Sequence, residues 1–156
     1  MTIDLCYKLD EPCLAIDLKE LTMDRNADWE FVHSVAIKAI WTDGLRIIFD
    51  YRDVGLSAGT NGDYVAQIIK QNGNRQLDEV QNWHIHECTF QFLHVIKGWS
   101  KFEYDGVGIR TLRTGDCINQ KPMIAHREID DYEVLEIVAP ANFKTRIVDV
   151  TTEASN

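Results

Sequence analysis

The chain has 156 residues and a mass of 17.9 kDa, one domain by length and large enough to bury its own core. With 16 Lys and Arg against 25 Asp and Glu, its formal net charge is −9 and its pI near 4.9, so nothing draws it globally to phosphate backbones or anionic lipid. Nucleic acid and membranes are therefore not expected partners, and no apolar run approaches the roughly 20 residues of a bilayer span.

The N-terminal Met1-Thr2-Ile3-Asp4-Leu5-Cys6 lacks the basic and apolar regions of a signal peptide, which makes the cytoplasm the expected location. Cys6, Cys13, Cys88 and Cys117 show no CxxC pairing and read as free thiols in a reducing compartment. Leu14, Ile16 and Leu18 alternate over a short arm, and Asp24-Arg25-Asn26-Ala27-Asp28 is polar enough for a loop. Val35, Ile37, Ala39 and Trp41 then alternate as a strand would, while Val32, Val35, Ala36, Ala39 and Ile40 also fit a helical stripe. The turn signal Thr42-Asp43-Gly44, leading straight into strand-like residues 45–51, favours the strand.

From there the punctuation is regular. Thr60-Asn61-Gly62-Asp63 precedes a strand-like run over 64–70, and Gln71-Asn72-Gly73-Asn74 follows it. Asp105-Gly106-Val107-Gly108 joins two further runs, Thr114-Gly115-Asp116 makes another turn, and Val134-Leu135-Glu136-Ile137-Val138 ends near Pro140. There is no internal repeat and no low-complexity tract. Many short strands with turns every dozen residues or so predict an all-β sandwich or barrel, and a jelly roll accommodates eight or more of them.

The most informative stretch is Trp83-His84-Ile85-His86-Glu87-Cys88-Thr89-Phe90-Gln91, running on to Gly98 and answered by Gly115, Pro122 and His126. Strand side chains alternate, so His84 and His86 share a face. Same-face neighbours lie roughly 6.5–7 Å apart, a gap that two imidazoles close by converging on an ion about 2.1 Å from each nitrogen.

HxHx4Qx6G followed by Gx6PxxxH resembles the two cupin motifs, over roughly residues 44–140. The resemblance implies an all-β cupin-type jelly-roll barrel (double-stranded β-helix) over residues 44–150. An N-terminal arm and first strand over 1–43 would pack on it, and 151–156 would be a disordered tail. It also implies a divalent transition metal (Fe, Mn, Ni or Zn) held by His84, His86, Gln91 and His126. Gln91 stands where the family usually has Glu. Pro122-Met123-Ile124-Ala125-His126 lacks the usual glycine between proline and histidine and is one residue shorter.

Replacing Glu by Gln changes the charge of such a site. Three imidazoles and Glu leave a divalent ion at about +1, whereas three imidazoles and Gln leave about +2, and a unit charge 4 Å away is worth about 4 kcal/mol at an effective dielectric near 20. The expected substrate is accordingly a small oxygenated organic molecule held as its anion. Dioxygenase-type cleavage is the expectation that the resemblance favours; a redox-neutral lyase or isomerase, or a non-catalytic ligand-binding cupin, are the alternatives.

Other residues are read from strand parity. If Gln91 faces inward, so do Thr89, Leu93 and Val95, while Phe90, Phe92, His94 and Ile96 form an outer apolar face. His94 is then not a ligand, and its face suits cover by the arm or by a second subunit, since the resemblance implies homodimers. Glu128, Glu103 and Tyr104 are the candidates for proton transfer, none of them singled out. Cys88 and Cys117 are expected near the site as packing or rim thiols, not ligands.

Overall fold

The computed structural model describes residues 28–43, 48–73, 82–128 and 132–150. The expected arm around Leu14, Ile16 and Leu18, most of the loop before Asp28, Cys6, Cys13 and the 151–156 tail lie outside the described residues. The described strands are β1 (Thr42–Asp43), β2 (Phe49–Asp53), β3 (Val65–Gln71), β4 (His84–Glu87), β5 (Phe90–Tyr104), β6 (Gly108–Arg113), β7 (Cys117–Gln120), β8 (His126–Glu128), β9 (Tyr132–Ala139) and β10 (Lys144–Ile147). A single helical turn, α1 (Leu56–Gly59), sits between β2 and β3. All pairings are antiparallel in the order β1-β2-β3-β9-β5-β8-β4-β10, with β6 and β7 also bonded to β5. The sheet curls in the manner of a jelly roll, as the all-β reading requires.

β5 organises the fold because it belongs to two sheets. Residues 90–95 pair with β9 on one side and β7 on the other, while residues 99–104 pair with β6 and β8. Between them lies a bulge at Val95/Lys97, and Gly98 takes φ +83°, a conformation that glycine adopts without strain. The extra residue resets parity: Gln91, Leu93 and Val95 are buried before it, and Ser100, Phe102 and Tyr104 after it.

Of these, Leu93, Val95, Phe102 and Tyr104 build the core with Ile48, Phe49, Ile69, Leu112 and Val134. Phe102 and Val95 are fully buried, and each such side chain contributes about 1.5–3 kcal/mol relative to exposure. A smaller cluster of Val65, Cys88 and Val138 lies further along β9. The outer side of β5 is as parity predicts, with Phe90 and Ile96 exposed and Phe92 and His94 half-buried. Thr89 departs from the expected inward set: it precedes the strand, is exposed, and donates its hydroxyl to the Ala139 carbonyl at 3.1 Å.

The strand expected from Val35 to Trp41 is absent. A 3-10 turn occupies Ala36–Lys38, and pairing begins only at Thr42. Alternation alone makes no strand: this segment finds no partner strand among the described residues, its amides at Lys38 and Ala39 bond locally to Val35 and Ala36, and Ile37 and Ile40 are exposed. The expected turn at Thr42-Asp43-Gly44 is also corrected, since Thr42 and Asp43 are paired as β1, and residues 44–47 lie outside the described residues. The run after Asp63, the Asp105 to Gly108 hairpin and the turn at Gly115 stand.

Candidate metal centre

Two walls face each other inside the barrel. The first is made of imidazoles on β4 and β8, where His84 is paired directly with His126. Alternation places His86 on the same face as His84, and the ring centroids of the three lie 4.2–5.2 Å apart. One ligand atom from each of His84, His86 and His126 lies within 4.8 Å of the others, close enough to hold one ion. Among the described residues this is the group of His, Cys, Asp and Glu side chains so arranged.

Local backbone holds two of the rings. His84 Nδ1 donates to the Asn82 carbonyl at 3.0 Å, and His126 Nδ1 donates to the Ile124 carbonyl at 3.0 Å. A carbonyl only accepts, so each Nδ1 carries the proton and each Nε2 keeps its lone pair. This is the anchoring that ligand histidines use. Before His126, Met123 takes φ +62°, so this non-glycine residue supplies the left-handed turn within the segment that lacks the motif's glycine. On the outer side, Arg127 lies 5.0 Å over the Trp83 ring and donates to Glu103 at 2.7 Å, which ties β4, β5 and β8 together beside the histidines.

The second wall is polar and runs across three strands. Gln91 on β5 stands opposite Gln120 on β7 and Val138 on β9, which leaves Glu136 as its diagonal neighbour. Tyr104 Oη donates to Gln120 Oε1 at 3.0 Å, Gln120 Nε2 to Gln91 Oε1 at 2.9 Å, and Gln91 Nε2 to Glu136 Oε1 at 2.7 Å. Glu136, as a carboxylate, can only accept, which fixes the direction of both amides. The remaining amide hydrogens point at the other wall: Gln91 Nε2 is 2.7 Å from His86 Nδ1, and Gln120 Nε2 is 3.2 Å from His126 Nε2.

The electrostatics follow from burial. Gln91 is 1 % exposed and Glu136 is 7 % exposed, with Glu136 Oε1 4.0 Å from His86 Nδ1. Burial, then the Glu128 and Glu136 carboxylates, push the Tyr104 phenol well above its ordinary pKa, so it stays an O–H donor. Burial and Glu136 also raise the Cys88 thiol, which keeps it protonated and unsuited to ligation.

Most sequence candidates fall where parity puts them. His84, His86, Gln91 and His126 come together, whereas His94 lies on the outer side with Nδ1 3.2 Å from Cys117 Sγ. Glu128 stands opposite Phe102 and acts on Tyr104, and Glu103 is engaged by Arg127. Sequence reasoning missed Glu136 and Gln120. Glu136 had a signal, since a carboxylate alternating with Val134 and Val138 in an apolar strand requires a buried partner. Its presence also restores a negative charge that the sum from ligands alone left out.

No protein-family model matches the chain, and no curated protein does so either. Solved structures do match. KdgF from Halomonas sp. is 20 % identical with a TM-score of 0.54, the match covering 68 % of this chain and 92 % of that one. An RmlC-like cupin from Shewanella frigidimarina is 18 % identical at a TM-score of 0.55, covering 73 % and 95 %. This chain has the cupin fold. The polyketide cyclase RemF from Streptomyces resistomycificus aligns with this cupin barrel at 14 % identity and a TM-score of 0.60, covering 80 % of this chain and 88 % of that one. Among the described residues of the cupin chain, no helix is long and apolar enough to cross a membrane.

Proposed function

We propose that the protein is a metal-dependent cupin enzyme acting on a small oxygenated organic substrate held as its anion. The observation that carries this reading is the buried trio His84, His86 and His126, with the lone pairs of His84 and His126 turned inward by backbone bonds to their Nδ1 atoms. Bound by these residues, a divalent transition metal (Fe, Mn, Ni or Zn) supplies Lewis acidity to a substrate oxygen. Tyr104, stacked 5.7 Å from His126, offers a neutral O–H group at one edge of the site. Phe143, 5.2 Å from His86, supplies an apolar boundary that limits water.

Dioxygenase-type cleavage remains the reaction that the motif resemblance favours. A redox-neutral lyase or isomerase gains from one feature, the buried chain ending at Glu136, which sets a carboxylate proton acceptor into one wall beside the histidines. Oxygen uptake with enolisable diketones and phenolic ketones separates the two: consumption matched to substrate loss supports the dioxygenase, and substrate turnover without uptake supports the redox-neutral enzyme. Elemental analysis of protein purified without metal-affinity resin tests the common ground. Near-stoichiometric iron, manganese, nickel or zinc is expected, and protein that stays metal-free after incubation with each ion overturns the reading.

Two further points belong to this proposal. The outer face bearing Phe90, Ile96 and Trp99 is exposed and supports a homodimer, to be tested by sedimentation. The free thiols of Cys88 and Cys117 support a cytoplasmic setting.

A further inference from the structure

We propose that Glu136 is a positioning carboxylate behind the metal centre, held beside His86 by Gln91, and that its charge compensates for the amide in the motif position where an acid is usual. The inference rests on the metal reading above. It starts from an exchange of positions between two strands: the acid absent from β5 is present on β9, one diagonal step away. Glu136 Oε1 accepts from Gln91 Nε2 at 2.7 Å and lies 4.0 Å from His86 Nδ1.

The hydrogen-bond directions explain why position 91 carries an amide. Gln91 accepts from Gln120 on one side and donates to Glu136 on the other; a neutral amide does both, whereas an ionised carboxylate only accepts. A carboxylate at 91 would satisfy Gln120 but would bring a second anion within 2.7 Å of Glu136. The two positions therefore tolerate one carboxylate between them. The strand that carries it decides whether the charge sits in the motif or beside it.

Glu136 does not join the three histidines as a group close enough for one ion. Its role is that of a positioning residue: a negative charge beside His86 that raises the ring's basicity and offsets part of the charge of a cation held there. Gln91 transmits this by fixing the carboxylate beside the ring.

The test is a position exchange read by cobalt(II) titration, using visible absorption, and by the melting temperature of chelator-treated protein. Wild type is expected to take up one cobalt(II). Glu136→Gln keeps an acceptor oxygen for Gln91, so the chelator-treated variant should melt near wild type while cobalt(II) affinity falls by about 10–100-fold. Gln91→Glu alone sets two carboxylates together and should lower the chelator-treated melting temperature. The double variant Gln91→Glu/Glu136→Gln restores one carboxylate and one amide, and should recover both readouts.

A Glu136→Gln protein with wild-type cobalt(II) affinity overturns the role of Glu136 while leaving the histidine site standing. So does a double variant that melts like wild type yet binds as weakly as Glu136→Gln. If the double variant does not fold, the affinity of Glu136→Gln decides alone. Wild-type protein that takes up no cobalt(II) overturns the metal reading itself, a distinct result.

Discussion

The imidazole wall and the amide–carboxylate wall occupy one barrel but are assembled by different means. His84 and His126 are each anchored by a carbonyl two residues back in their own chain. Gln91, by contrast, is held by partners 29 and 45 residues away, on strands to either side. Strand pairing brings both walls together, but the rings of one are oriented by local backbone and the side chains of the other by one another across strands. The first therefore keeps its shape when single residues change elsewhere, while the second depends on three strands meeting in one register.

This difference sets an order of expected effects. Changing His84, His86 or His126 to Ala should reduce bound metal from near-stoichiometric to background in elemental analysis, with folding largely retained because the apolar core is built by other side chains. An imidazole variant that keeps its metal would erase the distinction between the walls. Gln120→Leu attacks the other wall by leaving Tyr104 Oη and Gln91 Oε1 without a partner; each unsatisfied group costs about 1–3 kcal/mol, read as a lower denaturant midpoint. Metal should bind more weakly in this variant yet still bind.

Cys88→Ser sharpens the boundary of the site. Cys88 packs with Val65 and Val138, so a hydroxyl there should cost about 1–3 kcal/mol in stability while metal content stays unchanged. His94→Ala should also leave metal content unchanged, with a stability change within about 1 kcal/mol unless a dimer contact is lost. Metal loss in His94→Ala equal to that in His86→Ala would mean that the parity of β5 is misassigned. The smallest effect is expected at Met123, where Gly removes a left-handed strain of about 1–2 kcal/mol and adds back an entropic cost of about 0.5–1 kcal/mol. Met123→Gly should therefore melt at or slightly above the wild-type temperature.

The same contrast explains what was legible in the sequence. His84 and His86 could be read because period-two alternation and close spacing are local properties, and His126 because its motif carries Pro122 and a turn. The run after Asp63 and the β5–β6 hairpin were legible for the same reason, bounded by turns at Gly62, Gly73 and Gly106. Val35 to Trp41 misled because alternation says nothing about whether a partner strand exists. Gln120 and Glu136 were hidden because their roles come from the pairing of β5 with β7 and β9, which no spacing along the chain expresses.

The bulge at Val95/Lys97 has a consequence for substitution tolerance. Gln91 and Tyr104 are an odd number of residues apart, which on an unbroken strand would point them to opposite faces, yet both face inward. A site-by-site tolerance map of β5 should thus show a two-residue rhythm whose sensitive beats fall on odd numbers up to Val95 and on even numbers from Ser100 onward. The slip in phase between them would locate the bulge from viability counts alone, and a map with unbroken rhythm would place one half of β5 on the wrong face.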